Sequence, residues 1–106
     1  KAWINTAPSA PTACTSPTVT WSNGTAAFQI DVGTSCAGIS TLVVTLPAVT
    51  NAYICTVMNV TTSATAAVEM TASSSTSATF TNYTRTTGIA LSWVDGADVR
   101  IGCTGG

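Results

Sequence analysis

Apolar and polar residues alternate in short runs along this chain, and Thr, Ser or Gly interrupts each run before it reaches helical length. A period of two places successive side chains on opposite sides of an extended strand. The chain carries 22 Thr and 11 Ser in 106 residues. Thr favours strands because its branched Cβ packs well on a pleated surface. The expected fold is all-β: an antiparallel β-sandwich or jelly roll of eight to nine short strands, with no significant helix. A chain of this length makes one domain with a single core. Pro8, Pro11 and Pro17 mark residues 1–17 as an extended, Pro-rich leader, so the sandwich is expected over 18–106. In that leader Trp3 and Ile4 are candidate anchors onto a neighbouring surface, or they pack back on the domain.

Turn residues set the expected register. Asn23-Gly24 is the preferred pair for a two-residue type I′ turn between Thr18–Ser22 and Thr25–Val32. That register faces Trp21 with Ala26, Val19 with Phe28 and Pro17 with Ile30, all on one apolar face. Thr41–Leu46 reads as a short strand ended by Pro47. The stretch Ala52–Val60 is apolar on both faces and reads as a central, doubly covered strand. Ala66–Ala72 points Val68 and Met70 inward, Glu69 points outward, and Ala78–Tyr83 returns with Phe80 opposite Met70. A last hairpin joins Ile89–Trp93 to Ala97–Cys103 through Val94-Asp95-Gly96, with Gly96 left-handed. It sets Leu91 against Val99 and Ile89 against Ile101, with Asp98 and Arg100 on the outer face. By this register Trp21, Phe28, Tyr53 and Trp93 belong to the core.

The four cysteines are Cys14, Cys36, Cys55 and Cys103. An even count in a small, loop-rich chain reads as two disulfides, against a competing reading as four buried thiols. Three pairings are possible. Strand register favours Cys14–Cys36, at the open end of the first hairpin, and Cys55–Cys103, on facing inner positions. Disulfides imply an oxidising, extracellular setting.

Chemistry is sparsely equipped. Only 7% of residues are charged, the net charge is −1, and three basic side chains cannot neutralise a phosphate backbone. Nucleic acid is therefore not an expected partner. No run of 18 apolar residues exists, so no membrane insertion is expected. There is no His to serve a zinc site or a Ser or Cys nucleophile, so no metal, no cofactor and no enzymatic activity are expected. The carboxylates Asp31, Glu69, Asp95 and Asp98 fall on turns and outward strand positions, not in a paired acid–base arrangement. Asn23, Asn59 and Asn82 each open an Asn-x-Thr triplet; glycans there would support a secreted cellular adhesion domain as a further alternative, but chance explains the triplets in so Thr-rich a chain. Tyr83, beside Asn82 and Arg85, is the best exposed aromatic candidate for stacking on a sugar. A surface so poor in charge is either simply hydrated by its hydroxyls or hidden in an assembly.

The order of elements carries a resemblance. Cys14-Thr15-Ser16-Pro17 precedes the strand Asn23 to Thr34, and Cys36-Ala37-Gly38 follows it. Leu46-Pro47 leads into Tyr53-Ile54-Cys55, and Trp93-Val94-Asp95-Gly96-Ala97-Asp98 leads into a final strand with Cys103. Over residues 14–103 this resembles the small, charge-poor β-domains at the C-termini of bacteriophage appendage proteins, in tail fibres, head fibres and capsid decoration proteins. The resemblance implies a virion location, a homotrimer, contacts with other virion proteins, and a tip that touches a host surface glycan or caps a capsid axis. The loop tips Ser73 to Ser77 and Thr84 to Gly88 would then face outward.

Overall fold

A computed structural model describes residues 4–106, and Trp3 lies outside the described residues. Eight strands form: β1 (Ser9–Thr12), β2 (Thr18–Asn23), β3 (Ala27–Asp31), β4 (Thr41–Thr45), β5 (Tyr53–Asn59), β6 (Ala66–Ser73), β7 (Ser77–Thr84) and β8 (Asp98–Gly105). They make two four-stranded sheets, ordered β1-β4-β7-β6 and β2-β3-β8-β5, and every pairing is antiparallel. The described residues contain no helix. The all-β sandwich expected from alternation is the fold. Phe28, Ile30, Val32, Leu42, Val44, Phe80 and Val99 fill the space between the sheets with no exposed surface. Met70 pairs with Phe80 as the pattern requires, and Glu69 points outward.

Both disulfides form as register favours. Cys55 stands directly opposite Cys103 in the β5–β8 ladder, and Cys14 bonds Cys36 with Cα atoms 4.9 Å apart. The two bridges fit an oxidising setting.

Part of the expected leader belongs to the sandwich. β1 pairs with β4, and the Cys14 amide donates to the Val32 carbonyl. Ile4 is also fixed, because its amide donates to Thr25 Oγ1 and its carbonyl accepts the Thr25 amide.

That contact rewrites the first hairpin. Thr25 is buried, and its carbonyl accepts the Cys103 amide. Drawn into these long-range bonds, Thr25 leaves the ladder, and the loop becomes Gly24-Thr25-Ala26. Asn23 now pairs with Ala27 and Trp21 with Gln29, and after a bulge Val19 pairs with Ile30. Gly24 permits it, with φ of +61° and the Ile4 carbonyl packed where a Cβ would stand. A slip by an odd number reverses the face of a side chain. Trp21, expected in the core, is 44% exposed on the outer face.

Two more expectations are corrected. β5 is an edge strand, not a central one. Tyr53 and Cys55 point inward, while Ile54 and Met58 stand 75% and 58% exposed. β8 takes the central place between β3 and β5. With both sides of β8 already hydrogen-bonded, residues 89–93 find no partner there and form no strand. Ala90 bridges Tyr83 instead, Ile89 and Leu91 stay exposed, and Val99 pairs with Ile30. The Val94–Gly96 turn does form, with φ of +73° at Gly96. Trp93 is buried as expected, and its indole N–H donates to the Thr41 carbonyl.

Candidate binding face

The three sequence candidates for a ligand site have unequal fates. Asn82 is buried, and its amide is already engaged. Its Nδ2 donates to the Leu91 carbonyl and its Oδ1 accepts from Asn59 Nδ2. Tyr83 is half-buried on β7, opposite Ala67. Arg85 is exposed at the start of the next loop, where its Nε donates to the Ser63 carbonyl. The structure leaves Tyr83 and Arg85 at the surface and withdraws Asn82 from it.

The two outer sheet faces differ in chemistry. Thr41, Val43 and Thr45 of β4 lie beside Ser77, Thr79 and Thr81 of β7, and the strands of this sheet expose no large apolar side chain. The other outer face, on β2-β3-β8-β5, carries a row made by strand pairing: Trp21, Gln29, Arg100 and Met58. One step along the strands the side chains shrink to Ala27, Gly102 and Thr56, and the row after that holds Thr104 opposite Ile54. The tall row makes a wall, and the row of small side chains beside it makes the floor of a depression. Trp21, Met58 and Arg100 line it, with Ala26, Ala27 and Gly102 beneath. A second depression adjoins it and shares Ala26, Thr56 and Gly102, with Ile54 and Thr104 at its side. Gly102 keeps the floor low and lets the loop backbone at Ala26 approach, since a Cβ there would lie 2.6 Å from the Ala26 carbonyl oxygen.

The polar groups of this face are directional. Arg100 Nε donates to Gln29 Oε1 at 2.9 Å. This uses one of the two lone pairs of Gln29 Oε1, so the pair presents several N–H donors and one remaining acceptor site. The exposed hydroxyls of Thr56 and Thr104 can both donate and accept. Asp31 and Asp98 face each other across β3 and β8, on the same face but on the far side of Arg100 from the floor. Sequence reasoning missed this site because the hairpin slip that exposes Trp21 depends on Ile4. The apolar-on-both-faces pattern of β5 was the available signal, since an edge strand with that pattern must expose Ile54 and Met58.

A larger concavity lies at the end of the sandwich, walled by Ile4, Asn5, Ala48, Val49 and Gly106. It carries no charged side chain and no aromatic ring among the described residues. Among the described residues no three His, Cys, Asp or Glu side chains gather as a metal site. The chain matches no protein-family model, and comparison with curated proteins and with solved structures gives no significant match.

Proposed function

We propose that this chain is a surface-binding domain of a bacteriophage virion, the host-facing tip of a trimeric tail or head fibre. The observation that carries the reading is the asymmetry of the two outer faces. The strands of one expose no large apolar side chain, and the other exposes Trp21, Ile54 and Met58 around a small-residue floor. Exposed apolar patches with a polar rim are interaction sites. The two disulfides support a domain working outside the cytosol. The concavity beside Ile4 serves as the anchoring end in this reading, leaving the β2-β3-β8-β5 face for recognition.

The test is gold labelling of intact particles with an antibody to the folded domain, together with its mass in solution. Label at fibre tips and a trimer mass are expected. Label spread over the capsid surface would replace the fibre tip by a shell-stabilising decoration protein. No label on any particle would overturn the virion reading altogether.

A further inference from the structure

We propose that the depression beside the row of Trp21, Arg100 and Met58 is a saccharide site for a neutral sugar ring, with a second linked ring beside Ile54. The inference rests on the surface-binding reading above and specifies where that binding happens and what chemistry it selects.

Shape comes first. The two adjoining depressions measure about 400 Å³ and 250 Å³ and share one floor at Gly102 and Thr56. The first lies within the range of small-molecule sites, roughly 300–1,000 Å³. Two connected hollows of that scale suit two linked rings better than one bulky group. Trp21 supplies a wall with a flat aromatic surface, 44% exposed without any ligand. The C–H face of a pyranose is apolar and fits such a surface, while its edge carries hydroxyls.

Polar chemistry then selects the ring. A sugar hydroxyl both donates and accepts. The Arg100–Gln29 pair offers mainly donors, with one lone pair left on Gln29 Oε1, and Thr56 and Thr104 offer both. Vicinal hydroxyls are matched by this mixture, and a purely apolar ligand is not, because it would strip water from Arg100 without replacement. Charge argues for a neutral ring. On this face Arg100 is one positive group against two negative ones, Asp31 and Asp98. An acidic sugar held by Arg100 would meet their repulsion.

The experiment is an NMR titration of the full, isotope-labelled chain with maltotriose, cellotriose, mannotriose and chitotriose, with trigalacturonate as the anionic comparison. At least one neutral trisaccharide is expected to give saturable shifts at the Trp21 indole and at the amides of Ala27, Thr56, Met58 and Gly102. Trp21→Ala should lower the association constant about tenfold or more, and the isosteric Thr56→Val about threefold. Because both side chains are exposed, melting should barely move, and either variant suffices if the other fails to fold. Four results would overturn the proposal: no saturable shift with any neutral sugar, shifts centred on Tyr83 and Arg85, tighter binding of trigalacturonate, or sugar-independent broadening of this face that grows with protein concentration, which would assign it to a second copy of the chain. A face silent to sugars on a domain that still labels fibre tips sinks this site alone. Absent particle label sinks the virion reading and leaves the titration result standing.

Discussion

Asn59 of β5 and Asn82 of β7 meet between the two sheets, with the amide nitrogen of the first 3.3 Å from the side-chain oxygen of the second. Both are buried, at 2% and 1% exposure. Each uses its other amide atom on an irregular segment: Asn59 Oδ1 accepts the Thr62 amide, and Asn82 Nδ2 donates to the Leu91 carbonyl. One polar pair thus ties together the sheets, the β5–β6 turn and the segment that follows β7. Both asparagines open Asn-x-Thr triplets, yet neither amide has room for a glycan, which agrees with reading those triplets as chance.

The pair should be expensive to break from one side. Asn82→Leu strands the buried Asn59 amide and removes the donor to the part-buried Leu91 carbonyl, and a lost buried partner costs about 1–3 kcal/mol per group. Urea unfolding of the variant should show a loss of about 2–4 kcal/mol. In a double-mutant cycle, Asn59→Ala and Asn82→Ala should be non-additive by more than about 0.5 kcal/mol. Additive losses would show that the two side chains do not support one another.

Local pattern carried the strands, and long-range bonds decided what local pattern left open. Alternation in 66–73 and 77–84 placed Met70 and Phe80 correctly, because both segments obey a single buried face and a short turn joins them. The cysteine pairing was legible for the same reason: an inward position on each strand leaves few partners. Trp21 was misplaced because Asn23-Gly24 is a strong local turn signal, but Thr25 is captured by Ile4 and Cys103, residues far away in the chain. The face built by Trp21, Met58 and Gly102 was therefore invisible until sheet order was known. Leu91 failed similarly: its partner strand was already paired on both sides.

The two described tryptophans should behave oppositely on truncation. Trp93 is buried, and its indole N–H is hydrogen-bonded to Thr41. Trp93→Ala should cost about 3–5 kcal/mol. Trp21→Ala removes an exposed ring and should change stability by less than about 0.5 kcal/mol. Comparable losses for the two, measured by the same denaturant titration, would mean that Trp21 packs into the core after all.

The disulfides close loops of different length, with sequence separations of 22 for Cys14–Cys36 and 48 for Cys55–Cys103. Loop-closure entropy gives about 3 kcal/mol for the first and about 4 kcal/mol for the second. Replacing each pair by Ala should reproduce that order in thermal melts, and reductant should destabilise the unmodified chain. The shorter bridge also holds the segment after β1, so its removal should raise amide exchange at residues 9–15 while leaving β5 and β8 protected. Melting unchanged by strong reductant would show that neither bridge constrains the unfolded chain.

Alkaline pH should weaken the fold through Tyr53. Its hydroxyl donates to the Pro47 carbonyl, and its ring is 1% exposed. Burial disfavours the phenolate and raises its pKa above the ordinary value of 10.0. Below about pH 10 both folded and unfolded states hold the proton, so the stabilisation is complete there. Above that, the unfolded chain releases its proton first, and stability falls with rising pH until the folded phenol ionises as well. Tyr53→Phe should cost about 1 kcal/mol at neutral pH by losing the hydrogen bond. The same variant should also flatten the alkaline decline in urea midpoints measured between about pH 8 and pH 11. An equally steep decline in Tyr53→Phe would assign the alkaline sensitivity to another group.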